Sequence, residues 1–291
     1  MIFAAIDIGS NASRLLVANV FRKNKKIIVD KSTIVRVPTR LGKDVYSKHK
    51  IGEKRIKMLM KTLEAFKLIT EVYKPVAVDI CATAAMREAS NGDEILKLVR
   101  KKTGLKIRII NGKEEADIIR HTNRMETITS NLPYLFVDVG GGSTDISLLI
   151  DDELIEAKSF KIGTLRLLAN MVEKNEWDKL DQWLSHYKAK YNNFTVIASG
   201  GNINKINKLF GDPVNYVLTY ENIRYAYTYL AGFTLEERME KLGLRPDRAD
   251  VIIPAAEIFI HIFEILQQAF IYVPKIGLAD GLVYMLYEKY H

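Results

Sequence analysis

Two stretches of the sequence echo each other: residues 135–148 read LFVDVGGGSTDISL, and residues 4–17 read AAIDIGSNASRLLV. In both, an apolar run ends on an aspartate, a glycine follows two positions later, and small polar residues lead into a second apolar run, so that Asp7 aligns with Asp138. Two apolar runs around a glycine turn predict antiparallel strands. The echo therefore predicts one supersecondary unit used twice, once in each of two lobes.

The rest of the chain alternates between short apolar runs and amphipathic stretches. The pattern predicts strands at 27–37, 76–81, 105–110 and 195–199, and helices at 51–73, from about 90–93, from about 113, and at 164–174, 176–191, 249–270 and 279–289. Strands that alternate with helices predict an α/β fold. The absence of a low-complexity linker predicts that a short hinge at about 124–133 joins the lobes.

The composition is typical of a soluble globular protein, with 48% hydrophobic and 27% charged residues in 291. No apolar run approaches the roughly 18–20 residues that span a bilayer, and the first residues lack the basic start of a signal peptide. Cys81 is the only cysteine, and its apolar neighbours predict a buried thiol in a reducing cytoplasm. We therefore expect a cytoplasmic protein with no membrane association.

The net charge of +8 suits a polyanionic partner such as a polyphosphate, a nucleotide or a nucleic acid. A solvated basic surface explains the charge equally well. Nucleic acid is the weaker partner, because the sequence has no RNA-binding sheet motif, zinc finger or basic helix ahead of heptads.

The two echoing turns have the residues of phosphate cradles. Each follows a strand that ends on a carboxylate, and each offers backbone N–H groups, which glycine allows to approach a ligand closely. The first turn adds the side chains of Ser10 and Asn11, and the second reads Gly140-Gly141-Gly142-Ser143-Thr144. A single glycine turn is usually a hairpin, whereas two matched copies led by aspartate favour a function.

Three further turns carry polar residues at strand ends: 83–87, 112–116 and 199–202. Arg87 can bind a phosphate with two hydrogen bonds or pair with a neighbouring acid at the surface. Glu115 stands in a first helical turn, where glutamate commonly complements the helix dipole. The turn at Ser199-Gly200-Gly201 suits an anion or a base at a helix N-terminus.

Other site patterns are absent from the sequence. The histidines have no metal-binding spacing, and there is neither a Ser elbow nor a GxxxxGK[ST] phosphate loop. The tyrosines between 216 and 229 are more typical of helix packing than of a stacking platform.

Taken together, the strings DIGSNASRL, CATAAMREA, INGKEEA, FVDVGGGSTD, IASGG, RADVIIPAAEI and GLADG resemble the exopolyphosphatase / guanosine pentaphosphate phosphohydrolase (Ppx/GppA) phosphatase family. The resemblance implies a two-lobed actin-like fold, as in sugar kinases and heat-shock ATPases, with duplicated ribonuclease-H-like domains. It implies a first lobe over 1–128, a second over 129–276, and a C-terminal helix at about 277–291 that returns to the first. It also implies that the protein hydrolyses the terminal phosphate from polyphosphate or from guanosine pentaphosphate. The resemblance implies that this hydrolysis depends on Mg²⁺ or Mn²⁺.

Carried over by position, the resemblance assigns Glu115 as general base, Arg87 as phosphate ligand and Asp145 as a further catalytic residue. Asp138 and Asp7 are the candidate metal ligands. The candidate phosphate-binding residues are Ser10, Asn11, Thr83, Gly141, Gly142, Ser143, Ser199, Gly200 and Gly201.

The sequence departs from the family pattern at several positions. Ala12 stands where a second serine is usual, Asp145 where glutamate is common, and Asn111 where serine is frequent. The chain ends at His291, where long members continue, so it resembles the short, two-domain branch. We therefore expect distributive hydrolysis that favours short polyphosphates or a nucleotide pentaphosphate.

Two alternatives follow from the same residues. The turn at Ser199-Gly200-Gly201 also suits the adenosine side of an ATP-dependent kinase or ATPase with the same fold. The departures at Ala12 and Asp145 suit a non-catalytic sensor of polyphosphate or of an alarmone. A homodimer is compatible with the sequence, which does not indicate the oligomeric state.

Overall fold

The computed structural model describes residues 1–24, 26–121, 132–151, 153–212 and 214–291. The chain divides into two compact units. The first unit comprises Met1–Ile128 and Ile276–His291, and the second comprises Thr129–Lys275. The hinge predicted at about 124–133 lies almost wholly outside the described residues.

The first unit is built from strands and helices. Its strands are β1 (Ile2–Ile8), β2 (Ser13–Lys23), β3 (Lys26–Val37), β4 (Ala77–Ala82) and β5 (Arg108–Ile109). Its helices are α1 (Leu41–Lys48), α2 (Glu53–Tyr73), α3 (Ala84–Glu88), α4 (Gly92–Thr103), α5 (Gly112–Arg120) and α13 (Leu278–Tyr290).

The sheet of the first unit is mixed, with the strand order β3-β2-β1-β4-β5. The strands β1, β2 and β3 run antiparallel, whereas β1, β4 and β5 run parallel. Residues Phe3 to Ile6 of β1 are almost completely buried, because this central strand packs against both α2 and α13. Burial on both faces explains why β1 is apolar from Ile2 to Ile6.

The C-terminal helix α13 packs against β1 and α5 of the first unit. At Gly281 the approach to α5 is close, since a Cβ atom there would lie 2.1 Å from the carbonyl oxygen of Ile118. Any larger residue at position 281 must push the two helices apart.

We expect Gly281→Ala to lower the free energy of unfolding by about 1–3 kcal/mol, the usual cost of overpacking a core. The urea denaturation midpoint measures this loss. Gly232→Ala is the control, because its Cβ atom would make only ordinary contacts at 3.4 Å or more. An unchanged midpoint in Gly281→Ala would contradict the packing described for α13.

The second unit is likewise built from strands and helices. Its strands are β6 (Tyr134–Val139), β7 (Thr144–Ile150), β8 (Glu153–Phe160), β9 (Thr195–Ser199), β10 (Val217–Thr219) and β11 (Phe270–Tyr272). Its helices are α6 (Thr164–Leu168), α7 (Lys174–Tyr191), α8 (Gly201–Phe210), α9 (Tyr220–Ala231), α10 (Leu235–Glu240), α11 (Pro246–Ala249) and α12 (Ile252–Leu266).

The sheet of the second unit, with the order β10-β11-β9-β6-β7-β8, repeats the topology of the first. The antiparallel strands β6, β7 and β8 correspond to β1, β2 and β3, and the parallel pair β6/β9 corresponds to β1/β4. The register also repeats, because Asp7 pairs with Arg14 and Cys81 where Asp138 pairs with Asp145 and Ser199. The predicted α/β fold with a duplicated unit is therefore confirmed.

Several element boundaries differ from the prediction. The strand predicted at 105–110 is only Arg108–Ile109, which pair with Cys81 and Ala82 at the end of β4. The helix predicted at 164–174 ends at Leu168, shortly before Asn170 turns to a positive φ of 53°.

The helix predicted at 249–270 is likewise shorter. It ends at Leu266, where Gln267 adopts a left-handed cap, and β11 follows. Among the described residues, no helix is long and apolar enough to cross a bilayer.

Candidate active site

The first unit gathers polar turns at one edge of its sheet, because β1, β4 and β5 are parallel and end at the same edge. The turn after β1 closes through a hydrogen bond of 3.0 Å from the Gly9 amide to the Ala12 carbonyl. The buried hydroxyl of Ser10 lies 2.8 Å from the hydroxyl of Tyr46. The amide of Arg40 donates to the Asn11 carbonyl at 3.0 Å. Both predicted phosphate-binding residues of this turn are thus fixed in place.

The turn after β4 carries Thr83 and Arg87. The amide of the buried Thr83 donates to the carbonyl of Ile8 at 3.2 Å and so joins this turn to the end of β1. One guanidinium nitrogen of Arg87, Nη1, donates to the carbonyl of Ile110 at 2.7 Å. Arg87 therefore links the turn after β4 to the turn after β5 and holds a cation at the sheet edge.

Glu115 lies in the first turn of α5, directly after β5. The side chain of Asn111 caps this helix by accepting the Glu114 amide at 2.9 Å, so the departure from the family's serine preserves the cap. Glu114 pairs with Arg108, whose guanidinium also binds Asp79 through two nitrogens at 3.1 and 2.9 Å. The hydrogen bond with Asp79 raises the pKa of Arg108 above its ordinary value.

The helix start is thus held firmly on two sides, and Glu115 is only 8% exposed. A carboxylate buried at a polar sheet edge fits the role of a proton acceptor.

Asp7 is the last but one residue of β1 and is half-buried. Its cross-strand partner is Arg14, so a guanidinium is carried on the same face of the sheet as this carboxylate. The described first unit therefore brings the predicted residues Asp7, Ser10, Asn11, Thr83, Arg87 and Glu115 to one sheet edge.

The second unit repeats this arrangement with more glycine. The turn after β6 closes through a hydrogen bond of 2.9 Å from the Gly140 amide to the Ser143 carbonyl, which matches the bond at Gly9. The hydroxyl of Ser143 donates to the carboxylate of Asp145 at 2.8 Å. Asp138 and Asp145 are cross-strand partners, so two carboxylates stand on the same face of the sheet.

The turn after β9 lies beside the same carboxylates. The hydroxyl of Ser199 donates to Asp138 at 2.5 Å. Gly200 has a φ of 120°, and a Cβ atom there would lie 2.9 Å from the carbonyl oxygen of Val139. This position therefore requires glycine, which brings the start of α8 next to Asp138.

The backbone of the second glycine turn offers hydrogen-bond donors. In the described ranges of the chain, no hydrogen bond uses the amide N–H groups of Gly141, Gly142 and Ser143. Consecutive backbone amides of this kind form an anion-binding concavity. The arrangement is chemically suited to the oxygens of a phosphate.

Three basic residues on α8 and α11, close to the turn after β9, were not assigned from the sequence. The Nη2 atom of Arg248 lies 3.5 Å from where a Cβ atom of Gly201 would stand. Burial lowers the pKa of Lys205, and the positive charges of Lys208 and Arg248 lower it further. Arg248 opens the string RADVIIPAAEI, so a signal was present, but its distance along the chain concealed its place.

The residues of the second unit suit a magnesium ion. Within the described ranges, no group of three or more His, Cys, Asp or Glu side chains forms a ready metal cage. Mg²⁺ usually keeps several waters and binds through one or two carboxylates plus substrate phosphates. Asp138 and Asp145 supply such a pair, and a cation would offset the repulsion between them. Asp7 lies opposite Arg14 instead and fits a metal less well.

Comparison with known proteins relates the chain to one phosphatase family. A model described as the Ppx/GppA phosphatase family matches residues 20–290. Exopolyphosphatase 1 of Mycobacterium tuberculosis (strain ATCC 25618 / H37Rv) is 25% identical over 304 residues, which cover 97% of this chain and 87% of that protein. The guanosine-5'-triphosphate,3'-diphosphate pyrophosphatase of Pseudoalteromonas translucida is 26% identical over 100% of this chain and 60% of that protein.

Solved structures give the same relationship. The Ppx/GppA family member of Aquifex aeolicus has a TM-score of 0.77 and 25% sequence identity, covering 100% of this chain and 99% of that chain. An exopolyphosphatase from Cytophaga hutchinsonii has a TM-score of 0.86 over 99% of this chain and 98% of that chain, and at 20% identity it shows the fold alone.

Proposed function

Because the chain belongs to the Ppx/GppA phosphatase family, and so to a family of phosphoric anhydride hydrolases, we propose that it releases terminal phosphate from inorganic polyphosphate or guanosine pentaphosphate. The predicted family, its α/β fold class and the enzyme class are confirmed by these comparisons. The observation that carries the proposal is the second glycine turn, where three backbone amides stand beside the paired carboxylates Asp138 and Asp145.

In the proposed mechanism, the second glycine turn binds the phosphate oxygens. Phosphoryl transfer spreads negative charge over the equatorial oxygens in the transition state, so fixed donors aimed at them lower the barrier. The amides of Gly141, Gly142 and Ser143 are such donors, and Ser199 is held beside them through Asp138.

The first unit supplies the second set of groups in this proposal. The amides of Ser10 and Asn11 and the hydroxyl of Thr83 bind phosphate oxygens. The Nη1 atom of Arg87 stays hydrogen-bonded to the Ile110 carbonyl, and the other guanidinium nitrogens of Arg87 bind the substrate. Glu115 accepts a proton from the attacking water, since a carboxylate is the proton acceptor that a neutral water nucleophile requires.

A magnesium ion fits the carboxylates of the second unit. Asp138 would hold it, with Asp145 as the neighbouring carboxylate, and Mn²⁺ can replace it. When bound, the ion neutralises charge on the phosphate oxygens. The family's more common glutamate at position 145 would reach one methylene further; here the hydroxyl of Ser143 fixes the shorter Asp145.

Phosphate release from a panel of substrates tests the proposed function. We expect release from polyphosphate and guanosine pentaphosphate with Mg²⁺, and little from ATP or pyrophosphate. Tight binding of polyphosphate without turnover would instead identify a sensor. Turnover of ATP alone would identify a kinase or ATPase of the same fold.

Metal removal tests the cofactor directly. Activity should vanish in excess chelator and return with Mg²⁺ or Mn²⁺, because the phosphate charge is then no longer neutralised. Asp138→Asn should raise the Mg²⁺ concentration needed for half-maximal activity, while Asp178→Asn, an exposed change in α7, should not. Full activity in excess chelator would rule out the metal.

We also propose that short polyphosphates are favoured and that hydrolysis is distributive. Arg248 lies next to Gly201, and its positive charge and that of Lys208 act on Lys205, so these three residues form a basic cluster that can bind the phosphates of a short chain. Since each neutralised phosphate adds affinity that salt weakens, KM should rise steeply between about 50 and 200 mM salt.

A time course on a polyphosphate ladder, run on a gel, reads out the mode of hydrolysis. Uniform shortening of all chains is expected. Loss of full-length polymer without intermediates would contradict distributive action. Lys205→Gln with Lys208→Gln should raise KM and flatten its salt dependence, whereas Lys188→Gln with Lys190→Gln on α7 is the matched control.

We propose a cytoplasmic location as well. Cys81 is buried, and burial raises the pKa of its thiol, so it suits a reducing compartment in which it stays unmodified. Cell fractionation with activity assays tests the location; activity recovered only from an extracytoplasmic fraction would contradict it.

A further inference from the structure

Three carbonyl groups of the second glycine turn are held from one side. The amide of Thr164 donates to the Gly140 carbonyl at 3.1 Å, and the amide of Leu165 donates to the Gly141 carbonyl at 2.9 Å. The side chain of Arg166 completes the set, because its Nε donates to the Gly142 carbonyl at 2.9 Å. Three consecutive carbonyls thus point toward the start of α6.

This arrangement fixes the direction of the amides. In a trans peptide, the carbonyl of one residue and the N–H of the next point in opposite directions. The peptide bonds in the described part of the chain are trans. The N–H groups of Gly141, Gly142 and Ser143 therefore point away from α6, to the side opposite their supported carbonyls.

The support behind the turn is tightly packed. A Cβ atom on Gly163 would lie 2.4 Å from the carbonyl carbon of Gly142 and 2.5 Å from its nitrogen. Position 163 has an ordinary extended backbone, so glycine is needed there for space rather than for conformation.

Arg166 is a buried cation, with 8% of its surface exposed. Removing a guanidinium from water is costly unless its hydrogen bonds are satisfied, and the Gly142 carbonyl is one acceptor that fixes this group behind the turn. A cation bonded to the Gly142 carbonyl also polarises the peptide bond between Gly142 and Ser143, which makes the N–H of Ser143 a stronger hydrogen-bond donor.

We propose that Arg166 is a positioning residue, which keeps the amides of Gly141, Gly142 and Ser143 aimed at the substrate phosphate without touching the substrate. Thr164 and Leu165 contribute through their backbone, and Gly163 provides the space. The inference rests on the proposed phosphate-binding role of this turn, and it adds the group that prepares the turn for that role.

The test compares Arg166→Met and Arg166→Lys with Arg238→Met. Arg238 is the matched control, because its Nε also donates to a carbonyl at 2.9 Å, that of Leu230, and its Nη1 donates to the Ala249 carbonyl at 3.1 Å, so that it supports carbonyls other than those of the turn. Tripolyphosphate affinity by calorimetry, kcat/KM, urea midpoints and ¹H–¹⁵N spectra of the turn amides are measured. We expect Arg166→Met to lose about tenfold or more in affinity and kcat/KM, as for a lost charged hydrogen bond. Arg166→Lys should recover part of the loss.

The spectra separate positioning from mere stability. In the wild type, tripolyphosphate should shift the amide signals of Gly141, Gly142 and Ser143. In folded Arg166→Met these shifts should shrink, whereas Arg238→Met should keep them even with an equal loss of stability. Wild-type affinity in folded Arg166→Met, or an equal loss in Arg238→Met, overturns the inference.

The same measurements keep the two proposals apart. A wild-type protein that hydrolyses polyphosphate without any shift of the turn amides overturns the inference alone. A wild-type protein that shows these shifts but releases no phosphate overturns the proposed hydrolysis and leaves the positioning role supported. If Arg166→Met does not fold, Arg166→Gln, which removes the charge but keeps a polar side chain, is measured instead, and wild-type amide shifts, affinity and kcat/KM in folded Arg166→Gln would overturn the inference.

Discussion

Glu115→Gln should lower kcat by about 10²-fold or more and leave the affinity for polyphosphate nearly unchanged. The substitution removes the proton acceptor but changes little volume, and the start of α5 stays capped by Asn111. Steady-state kinetics measure kcat, and calorimetry with tripolyphosphate measures binding.

Glu114→Gln is the matched control for this prediction. Glu114 precedes Glu115 on the same helical turn but pairs with Arg108. We expect Glu114→Gln to stay within a few-fold of the wild-type kcat. Wild-type turnover in Glu115→Gln would remove this residue from the mechanism, and an equal loss in both variants would point to damage to α5.

Gly163→Ala should abolish most of the activity through the glycine turn. The added methyl group would stand 2.4 Å from the backbone of Gly142, so the turn must move and its amides lose their aim. Losing a single preorganised donor typically costs about 10²–10³-fold in kcat. A comparable or larger fall is expected here, with about 1–3 kcal/mol lost from the free energy of unfolding.

Gly211→Ala separates that fall in activity from the loss of stability. Its Cβ atom would lie 2.0 Å from the side chain of Asn207 and 2.9 Å from the Val217 carbonyl, within the second unit but away from the turn. It should lower the urea midpoint and retain kcat. Wild-type kcat in Gly163→Ala would contradict the role given to the turn.

Much of the fold was predictable because its signals are local. The strand, glycine turn and returning strand around Asp7 and Asp138 appear in order along the sequence, and their antiparallel pairing follows from the short turn. The long helix α2 was predictable from its periodicity alone, and it was placed within two residues of its start.

The missed features depend on partners far away in the sequence. The strand β5 pairs with only two residues at the end of β4, and β11 pairs with β9 across many intervening residues. Arg166 looked like an ordinary helical residue, since its contact with Gly142 appears only when α6 packs behind the turn. A local pattern does not reveal such a packing.

The duplicated register also shows where the two units have diverged. Arg14 stands opposite Asp7, at the position where Asp145 stands opposite Asp138. One edge therefore carries an acid beside a base, and the other carries two acids. This difference in charge supports our proposal that a metal ion binds at Asp138 rather than at Asp7.

Hydrolysis of tripolyphosphate in ¹⁸O-labelled water tests the central claim, that water attacks the terminal phosphorus and releases it as phosphate. The phosphate and pyrophosphate products are separated at early times, and the ¹⁸O content of each is measured by mass spectrometry. If the claim holds, the released phosphate carries one solvent oxygen and the pyrophosphate carries none, because the bond to the leaving chain breaks at the terminal phosphorus. Solvent label in the pyrophosphate, or no phosphate released at all, would contradict it.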